Sequence, residues 1–321
     1  MLLASLVTLA VAGFPLPGYS VAPGKTKNVS DVVSVGGTEV FPPAGEVLVS
    51  TVALHPLTPF RALQAWLDGD IKTVPKQRVA GSRARARARS ESEQVAVAVA
   101  LRRIGLVVPE TGTGAVVETV RAGSPAASRL VPGDVITGIN GRPISIAEEA
   151  IETVRAHGAG RLLRMDVRAP DGSRRVEEIE LGSLEGTEQG FLGVALATEQ
   201  RRFEYPVHVD VDLGGIDGNS AGLALTVGLL DMLTPGELTK GEKVALTGTV
   251  ELDGRVGEVG SVAQKATAAR KAGARYFLVP GGMLGEATRG GGEKLQVIEV
   301  STLDDALRVL DRLGLGDGVA P

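Results

Sequence analysis

The spacing of hydrophobic and polar residues predicts a strand and a buried helix in the second half of the chain. Residues 205–212 alternate apolar and polar side chains at the period of a strand. Several glycines follow, and residues 221–233 are almost wholly apolar. Pro235 and Gly236 then end this run, so we expect a buried helix that stops before them.

A hairpin and a second helix are expected next. Residues 243–252 and 255–260 have strand-like composition on either side of Asp253-Gly254, a strong turn signal. An alanine-rich helix should follow directly over residues 261–272. Ser261 with Gln264 has the pattern of a capping box, and a glycine ends the run.

The middle of the chain has the pattern of a small sheet with one helix. Its strand-like runs are bounded by Gly-Ser-Pro, Asn-Gly and Asp-Gly turns. The expected strands cover residues 117–119, 131–139, 162–167 and 176–181, and the expected helix covers 146–156.

The first residues are apolar. Residues 2–12 carry only Ser5 and Thr8 as polar side chains, and the apolar stretch extends to about 16 residues. This is short for a membrane-spanning helix, and Ala10-Val11-Ala12 fits a signal-peptidase site, so a signal peptide, a signal anchor and a buried strand stay open. No Lys or Arg precedes Lys25, so we expect the true start to lie upstream.

Arginine alternates with alanine over residues 83–89, and a short Ser-Glu run follows. We interpret this as a solvated helix or linker leading into the apolar residues 95–101. Contact with anionic lipid headgroups is the alternative.

Composition narrows the function classes. The 321 residues suffice for two domains plus an anchor, and 43% apolar content can build ordinary cores. A net charge of −4 argues against a general nucleic-acid binder. The chain has no cysteine, and its three histidines are far apart, which argues against a zinc site or a histidine triad. Gly24-Lys25-Thr26 lacks the earlier glycine of a phosphate loop, since position 19 is Tyr19, so we expect no nucleotide and no other cofactor.

Ser220 and Lys265 are the candidate catalytic pair. Ser220 precedes the buried helix, where free backbone N–H groups can stabilise an oxyanion. Lys265 falls in the first turn of its helix among apolar residues, and both settings lower the pKa of an amine. A lysine can activate a serine only when it is neutral. Taken singly, Ser220 is also a typical helix N-cap and Lys265 a typical solvated surface residue.

These residues resemble the proteolytic domain of the Lon family of serine-lysine peptidases. The likeness runs over residues 190–279 and includes the run from Asp217 to Gly222 and Leu246-Thr247-Gly248. It implies that Ser220 is the nucleophile, that Lys265 is the general base and that Thr247 orients the lysine amine. It places Asp217, Gly218 and Ala221 in the active-site and oxyanion loop. Asn219 stands where the family has Pro, and Thr249 where many members have Glu.

Residues 115–141 resemble a PDZ domain, a module that binds an extended peptide at a sheet edge. The resemblance implies that Gly112 and Gly114 cradle a terminal carboxylate and that Ala115, Val116 and Val117 form the strand that pairs with the peptide. A spacer without a ligand is the alternative.

The two resemblances together match the PDZ-containing Lon-like peptidases and imply an α+β fold. The expected parts are a signal anchor or signal peptide (1–24), an extracytoplasmic segment with a helix (25–104), a PDZ domain with a small barrel-like sheet (105–184) and a Lon-like proteolytic domain (185–321). The implied function is ATP-independent cleavage of peptides, unfolded proteins or membrane proteins by an outward-facing, membrane-anchored enzyme, with a hexamer implied by the family. A catalytically silent membrane scaffold is the main alternative, and an RNA-contacting domain is a weaker one.

Overall fold

The computed structural model describes residues 14–183, 187–214 and 219–313, and these form two compact units. The first unit comprises the described residues up to Val107 and from Tyr205 onward, and the second comprises residues 108–204. Both mix helices and strands, as the sequence predicts. Among the described residues, no helix has the length and apolar character needed to cross a membrane.

The helices are, in chain order, α1 (Val29–Val32), α2 (Pro59–Leu67), α3 (Ser82–Arg103), α4 (Ala147–His157), α5 (Gly222–Leu233), α6 (Val262–Lys271), α7 (Leu284–Gly291) and α8 (Leu303–Arg312). Two 3₁₀ turns cover Lys76–Arg78 and Gly292–Lys294.

The strands are β1 (Gly18–Asn28), β2 (Val33–Gly36), β3 (Glu46–Pro56), β4 (Lys72–Pro75), β5 (Glu110–Thr111), β6 (Ala115–Val120), β7 (Val135–Ile139), β8 (Arg142–Pro143), β9 (Leu162–Arg168), β10 (Arg174–Glu180), β11 (Gly182–Ser183), β12 (Gly190–Phe191), β13 (Val194–Thr198), β14 (Arg202–Phe203), β15 (His208–Val211), β16 (Lys243–Leu246), β17 (Thr249–Val250), β18 (Val256–Gly257), β19 (Tyr276–Pro280) and β20 (Gln296–Val300).

A six-stranded sheet in the order β20-β19-β16-β3-β1-β4 is the centre of the first unit. Strand β16 runs parallel to β3 and β19, whereas β1 is antiparallel to both of its neighbours. Helix α6 packs against β1 and β3, and its buried face joins Phe277 in a core with the sheet. Helix α5 is buried at every position, as its apolar sequence predicts.

Two predicted segments need correction in this unit. Residues 18–24 were expected in the N-terminal anchor, but they belong to β1, because their backbone is paired with β3 and β4. The anchor prediction for residues 1–13 falls outside the described residues. Residues 25–104 were expected as a separate segment, yet they supply β1, β3 and β4 to the central sheet, so the expected boundaries cut through a compact unit.

Helix α3 continues the arginine-rich run into the apolar residues 95–101, which are buried, and it packs against α5. The expected helix is therefore present, and its apolar end belongs to the core of the first unit.

The second unit is built on a sheet in the order β10-β9-β7-β6-β13, with β8 beside β7. Its core combines Val117, Ile136, Leu163 and Met165 with Ala150 and Val154 of α4. The expected helix and the strands over 162–167 and 176–181 are all found, and Gly172 has the positive φ that the turn between β9 and β10 requires.

Candidate active site

Ser220 lies immediately ahead of α5 and is partly exposed. The main-chain N–H of Gly248 donates to the Ser220 carbonyl at 3.1 Å, and the N–H of Leu223 donates back to the Gly248 carbonyl at 3.1 Å. Ser92 Oγ of α3 donates to the Asn219 carbonyl at 2.9 Å. These bonds hold the backbone of Asn219 and Ser220 against α3 and Gly248.

Close approach at this turn requires a glycine at position 222. A Cβ on Gly222 would lie 3.0 Å from the Val250 amide nitrogen and 3.1 Å from Ser92 Oγ. The small residue lets α5 begin directly against β17 and α3. Within the described part of the chain, the amides of Ser220 and Ala221 donate to no acceptor, as is usual for N–H groups at the start of a helix. Asp217 and Gly218 lie outside the described residues.

Lys265 is on α6 and is 3% exposed. Val262, Ala266 and Ala269 of the same helix are buried around it. Burial lowers the pKa of the Lys265 amine from 10.5 to about 7, and the charge of Glu286 opposes part of that change. A large fraction of the amine is therefore neutral near pH 7.

The start of α6 differs from the expected capping box. Ser261 is in the left-handed region, with φ 59 and ψ 42, and its side chain caps no helix N–H. Gln264 is turned away from it, because its Nε2 donates to the Asp70 carbonyl at 3.3 Å. The long-range contact with residue 70 replaces the local bond, and this competition is invisible in the sequence.

Thr247 connects the two candidate residues. Lys265 Nζ donates to Thr247 Oγ1 at 3.2 Å, and Thr247 Oγ1 donates to the Ser220 carbonyl at 3.3 Å. Thr247 is fully buried, so both bonds are shielded from water. The structure therefore brings together three residues that are far apart in sequence, with the threonine between the lysine and the serine.

A break in the expected strand places that threonine. The sequence predicts a continuous strand over 243–252, but β16 ends at Leu246 and β17 begins at Thr249. Gly248 has a φ of 148, in the region that glycine tolerates best. This turn directs the Thr247 side chain at α6, while the expected hairpin with β18 still forms beyond it.

No group of histidine, cysteine or carboxylate side chains in the described residues has the arrangement of a metal site. His208 is on β15 and His157 is at the end of α4.

The strand that was expected to pair with a peptide in the second unit is not at an edge of the sheet. Ala115, Val116 and Val117 are in β6, which pairs with β7 on one side and with β13 on the other, so β6 has no open edge for a peptide. Gly112 and Gly114 are both in contact with other parts of the unit, so they do not form an open cradle for a carboxylate. A Cβ on Gly112 would lie 2.3 Å from Thr198 Cγ2, and the Gly114 N–H donates to the Ser145 carbonyl.

The open edge belongs to β13, which is the last strand of the sheet and contacts α4. The preceding loop contains Gly193, whose φ is 81 and whose Cβ would lie 2.1 Å from Ser124 Cβ, so only glycine fits. Within the described residues, the amides of Leu192 and Gly193 donate to no acceptor. The signal that could have located this edge is Gly-Phe-Leu-Gly directly before an alternating run, at residues 190–193.

Comparison with known families agrees with both resemblances. Residues 194–311 match the model of the Lon protease (S16) C-terminal proteolytic domain, and residues 102–177 match the model of the PDZ domain. The chain therefore contains a Lon-type proteolytic domain and a PDZ domain. The structure places the boundaries differently, because β13, which the Lon match includes, belongs to the sheet of the second unit, and β1 and β3, which precede both matches, belong to the sheet of the first.

Similar proteins include Lon protease of Phenylobacterium zucineum, 31% identical over 55% of this chain, and Lon protease of Methylocella silvestris, 32% identical over 55%. In both cases the match covers 22% of the relative, so this chain spans about a fifth of the length of these proteins. Among solved structures, the PDZ domain of an SdrC-like protein from Listeria innocua is 23% identical, with a TM-score of 0.24, over 26% of this chain and 92% of its own.

Proposed function

We propose that this chain, which carries a Lon-type proteolytic domain and a PDZ domain, is a serine endopeptidase that works without ATP and uses Ser220 and Lys265. The observation that carries the proposal is the buried Lys265 amine, with a pKa of about 7, held by Thr247 beside the Ser220 turn. A neutral amine at that position can act as a general base at ordinary pH.

In the first half of the reaction, the neutral Lys265 amine takes the proton of Ser220 Oγ while Oγ attacks the carbonyl carbon of a peptide bond. The N–H that Lys265 donates to Thr247 orients its lone pair. The oxyanion of the tetrahedral intermediate accepts hydrogen bonds from the amides of Ser220 and Ala221. The lysine ammonium then gives its proton to the leaving amine, the C–N bond breaks, and an acyl-enzyme forms on Ser220.

Hydrolysis uses the same groups. Lys265 is neutral again and takes a proton from a water molecule, which attacks the ester carbonyl of the acyl-enzyme. Collapse of the second tetrahedral intermediate returns the proton from Lys265 to Ser220 Oγ and releases the carboxylic acid. Lys265 is buried and Ser220 is partly exposed. This arrangement suits the two reaction steps, because only the serine has to contact the substrate.

Independence from ATP is supported by the position of the nearest phosphate-loop candidate. Gly24, Lys25 and Thr26 lie within β1, where a bulge interrupts the pairing with β3. A Cβ on Gly24 would lie 2.8 Å from the Thr51 carbonyl, so this backbone is packed against protein. A strand in this setting does not present the N–H cradle that a nucleotide phosphate needs. Substrates should therefore be peptides or proteins that are already unfolded.

We assign peptide binding in the PDZ domain to the open edge of β13. An extended peptide would pair with β13 beside α4, and the amides of Leu192 and Gly193 would receive its terminal carboxylate. The peptide would come from a substrate or from a partner protein.

The test is cleavage of an unfolded model protein, without ATP, by wild type, Ser220→Ala and Lys265→Ala. We expect both variants to lose cleavage, whereas Lys294→Ala, which changes an exposed lysine, should keep it. Activity that survives in Ser220→Ala would contradict the dyad. Inactivity of all folded forms, including wild type, would instead favour the catalytically silent scaffold.

A further inference from the structure

Helix α2 exposes most of its apolar side chains. Phe60 is 56% exposed, Leu63 52%, Trp66 80% and Leu67 70%, and no residue of the helix is buried. The four side chains follow the i, i+3, i+6, i+7 spacing of one helical face, which we call the α2 face. A nine-residue helix is marginal on its own in water, so it needs support from its surroundings.

That support comes from the helix ends. Thr58 caps the start by accepting from the Arg61 N–H at 3.2 Å, and Pro59 occupies the first turn. Beyond the other end, Asp70 accepts from Thr267 Oγ1 at 3.3 Å and from Lys271 Nζ at 3.2 Å. The helix is thus tied to α6 through Asp70 while its apolar face stays outward.

The described chain begins close to the start of α2. The Leu16 N–H donates to the Leu57 carbonyl at 2.8 Å, and the Leu57 N–H donates to the Gly18 carbonyl at 3.0 Å. The described chain therefore begins beside the residue that precedes the cap of α2, and Phe14 is 65% exposed there. Residues 2–12, the apolar segment expected to be a signal anchor or signal peptide, come just before this point in the sequence.

Basic side chains occur on α2 and on the elements that follow it. Arg61 is on the helix, and Lys72 and Lys76 are exposed on β4 and the turn after it. Asp68 is the opposing charge, since Asp70 is paired with Lys271. An exposed tryptophan on an apolar helix face, with basic side chains on the helix and on the strand that contacts it, is typical of a surface that lies in the headgroup region of an anionic bilayer.

We propose that the α2 face inserts into the interfacial layer of a lipid bilayer that contains anionic headgroups. Lipid fits this face better than a second protein does. Four side chains of one short helix are far fewer than the roughly 20–30 residues a side that a stable protein interface uses. The inference does not depend on the peptidase proposal, because it uses none of the catalytic residues.

Trp66 gives a direct test, because it is the one tryptophan in the sequence. The full chain is mixed with vesicles of phosphatidylcholine and phosphatidylglycerol, with and without bromine on the acyl chains. We expect Trp66 emission to shift to shorter wavelength, to lose most of its intensity on brominated lipid, and to become protected from iodide. Vesicles of phosphatidylcholine alone should give a weaker effect, because the basic side chains then lack a partner.

Variants separate the α2 face from attachment by the N-terminal segment. Phe60→Ser combined with Leu63→Ser should weaken lipid binding. In vesicle titrations, the lipid concentration that gives half of the maximal bromine quenching of Trp66 should rise about tenfold. Val107→Ser, which changes an 80% exposed residue of the same unit, should leave it unchanged. Circular dichroism checks that each variant is folded.

Two results would overturn the proposal. One is that iodide still quenches Trp66 emission and brominated lipid does not, although the protein co-floats with the vesicles. The other is a shift to shorter wavelength without lipid that grows with protein concentration, since this would show that a second copy covers the α2 face.

Discussion

Replacing Lys265 by methionine should stabilise the protein, and the gain should depend on pH. Methionine has a similar length, no charge and no need for water, so it suits the buried site at 3% exposure. Burial lowers the pKa of Lys265 from 10.5 to about 7. This change corresponds to about 5 kcal/mol of unfavourable free energy for the charged amine in the folded state.

The sign follows from proton binding. Between about pH 7 and 10.5 the unfolded chain holds a proton on Lys265 that the folded protein has released, so stability rises with pH over this window. The destabilisation by lysine is complete below about pH 7 and disappears as the pH rises through 10.5. At about pH 9 roughly 2 kcal/mol of it remains.

Loss of the hydrogen bond to Thr247 subtracts about 1 kcal/mol from the gain. We therefore expect Lys265→Met to raise the free energy of unfolding by about 4 kcal/mol at pH 6 and by about 1 kcal/mol at pH 9. Urea denaturation of wild type and variant at both pH values measures the difference, and Lys294→Met is the exposed control that should change little at either. A gain that is equal at the two pH values would refute the buried, neutral amine.

Further predictions concern catalysis and the PDZ domain. Because the base must be neutral, a plot of kcat/KM against pH should rise through about pH 7 and then level off. Glu286→Gln should move this rise to lower pH by less than about one unit, because the Glu286 charge raises the pKa of Lys265. Thr247→Val should lower kcat roughly 10–100-fold, because the lysine loses the acceptor that orients it, and Thr247→Ser should restore most of the rate. Gly193→Ala should destabilise the PDZ domain by about 1–3 kcal/mol in thermal unfolding, because its φ is positive and its Cβ would meet Ser124.

Local signals predicted the elements around the catalytic turn. The apolar run of α5 and the Asp-Gly turn after β17 each have one structural solution that is favoured by nearby residues, and both are found. The proximity of Thr247 to Lys265 came from a family resemblance, since the distance between them depends on how β16 and α6 pack.

The failures have a common physical origin in long-range pairing. Gln264 had a local partner in the sequence but bonds to Asp70. Strand β6 was expected from the PDZ resemblance to pair with the peptide, yet β13 covers it. Local sequence could have marked β13 as a strand, but it does not show that β13 pairs with β6 or that Gln264 bonds to residue 70, because such partners are set by the packing of the whole fold.

The order of the two units along the chain has a consequence for how the protein is made. Residues 108–204 are inserted between the two parts of the first unit, so β3 leaves the ribosome well before β16, its parallel neighbour in the sheet. The PDZ domain can close while the proteolytic core still waits for its second half. For the same reason, a fragment that starts at residue 185 would lack β1, β3 and β4, which are half of the central sheet. Removing the insert and joining Val107 to Tyr205 would instead keep every strand of that sheet.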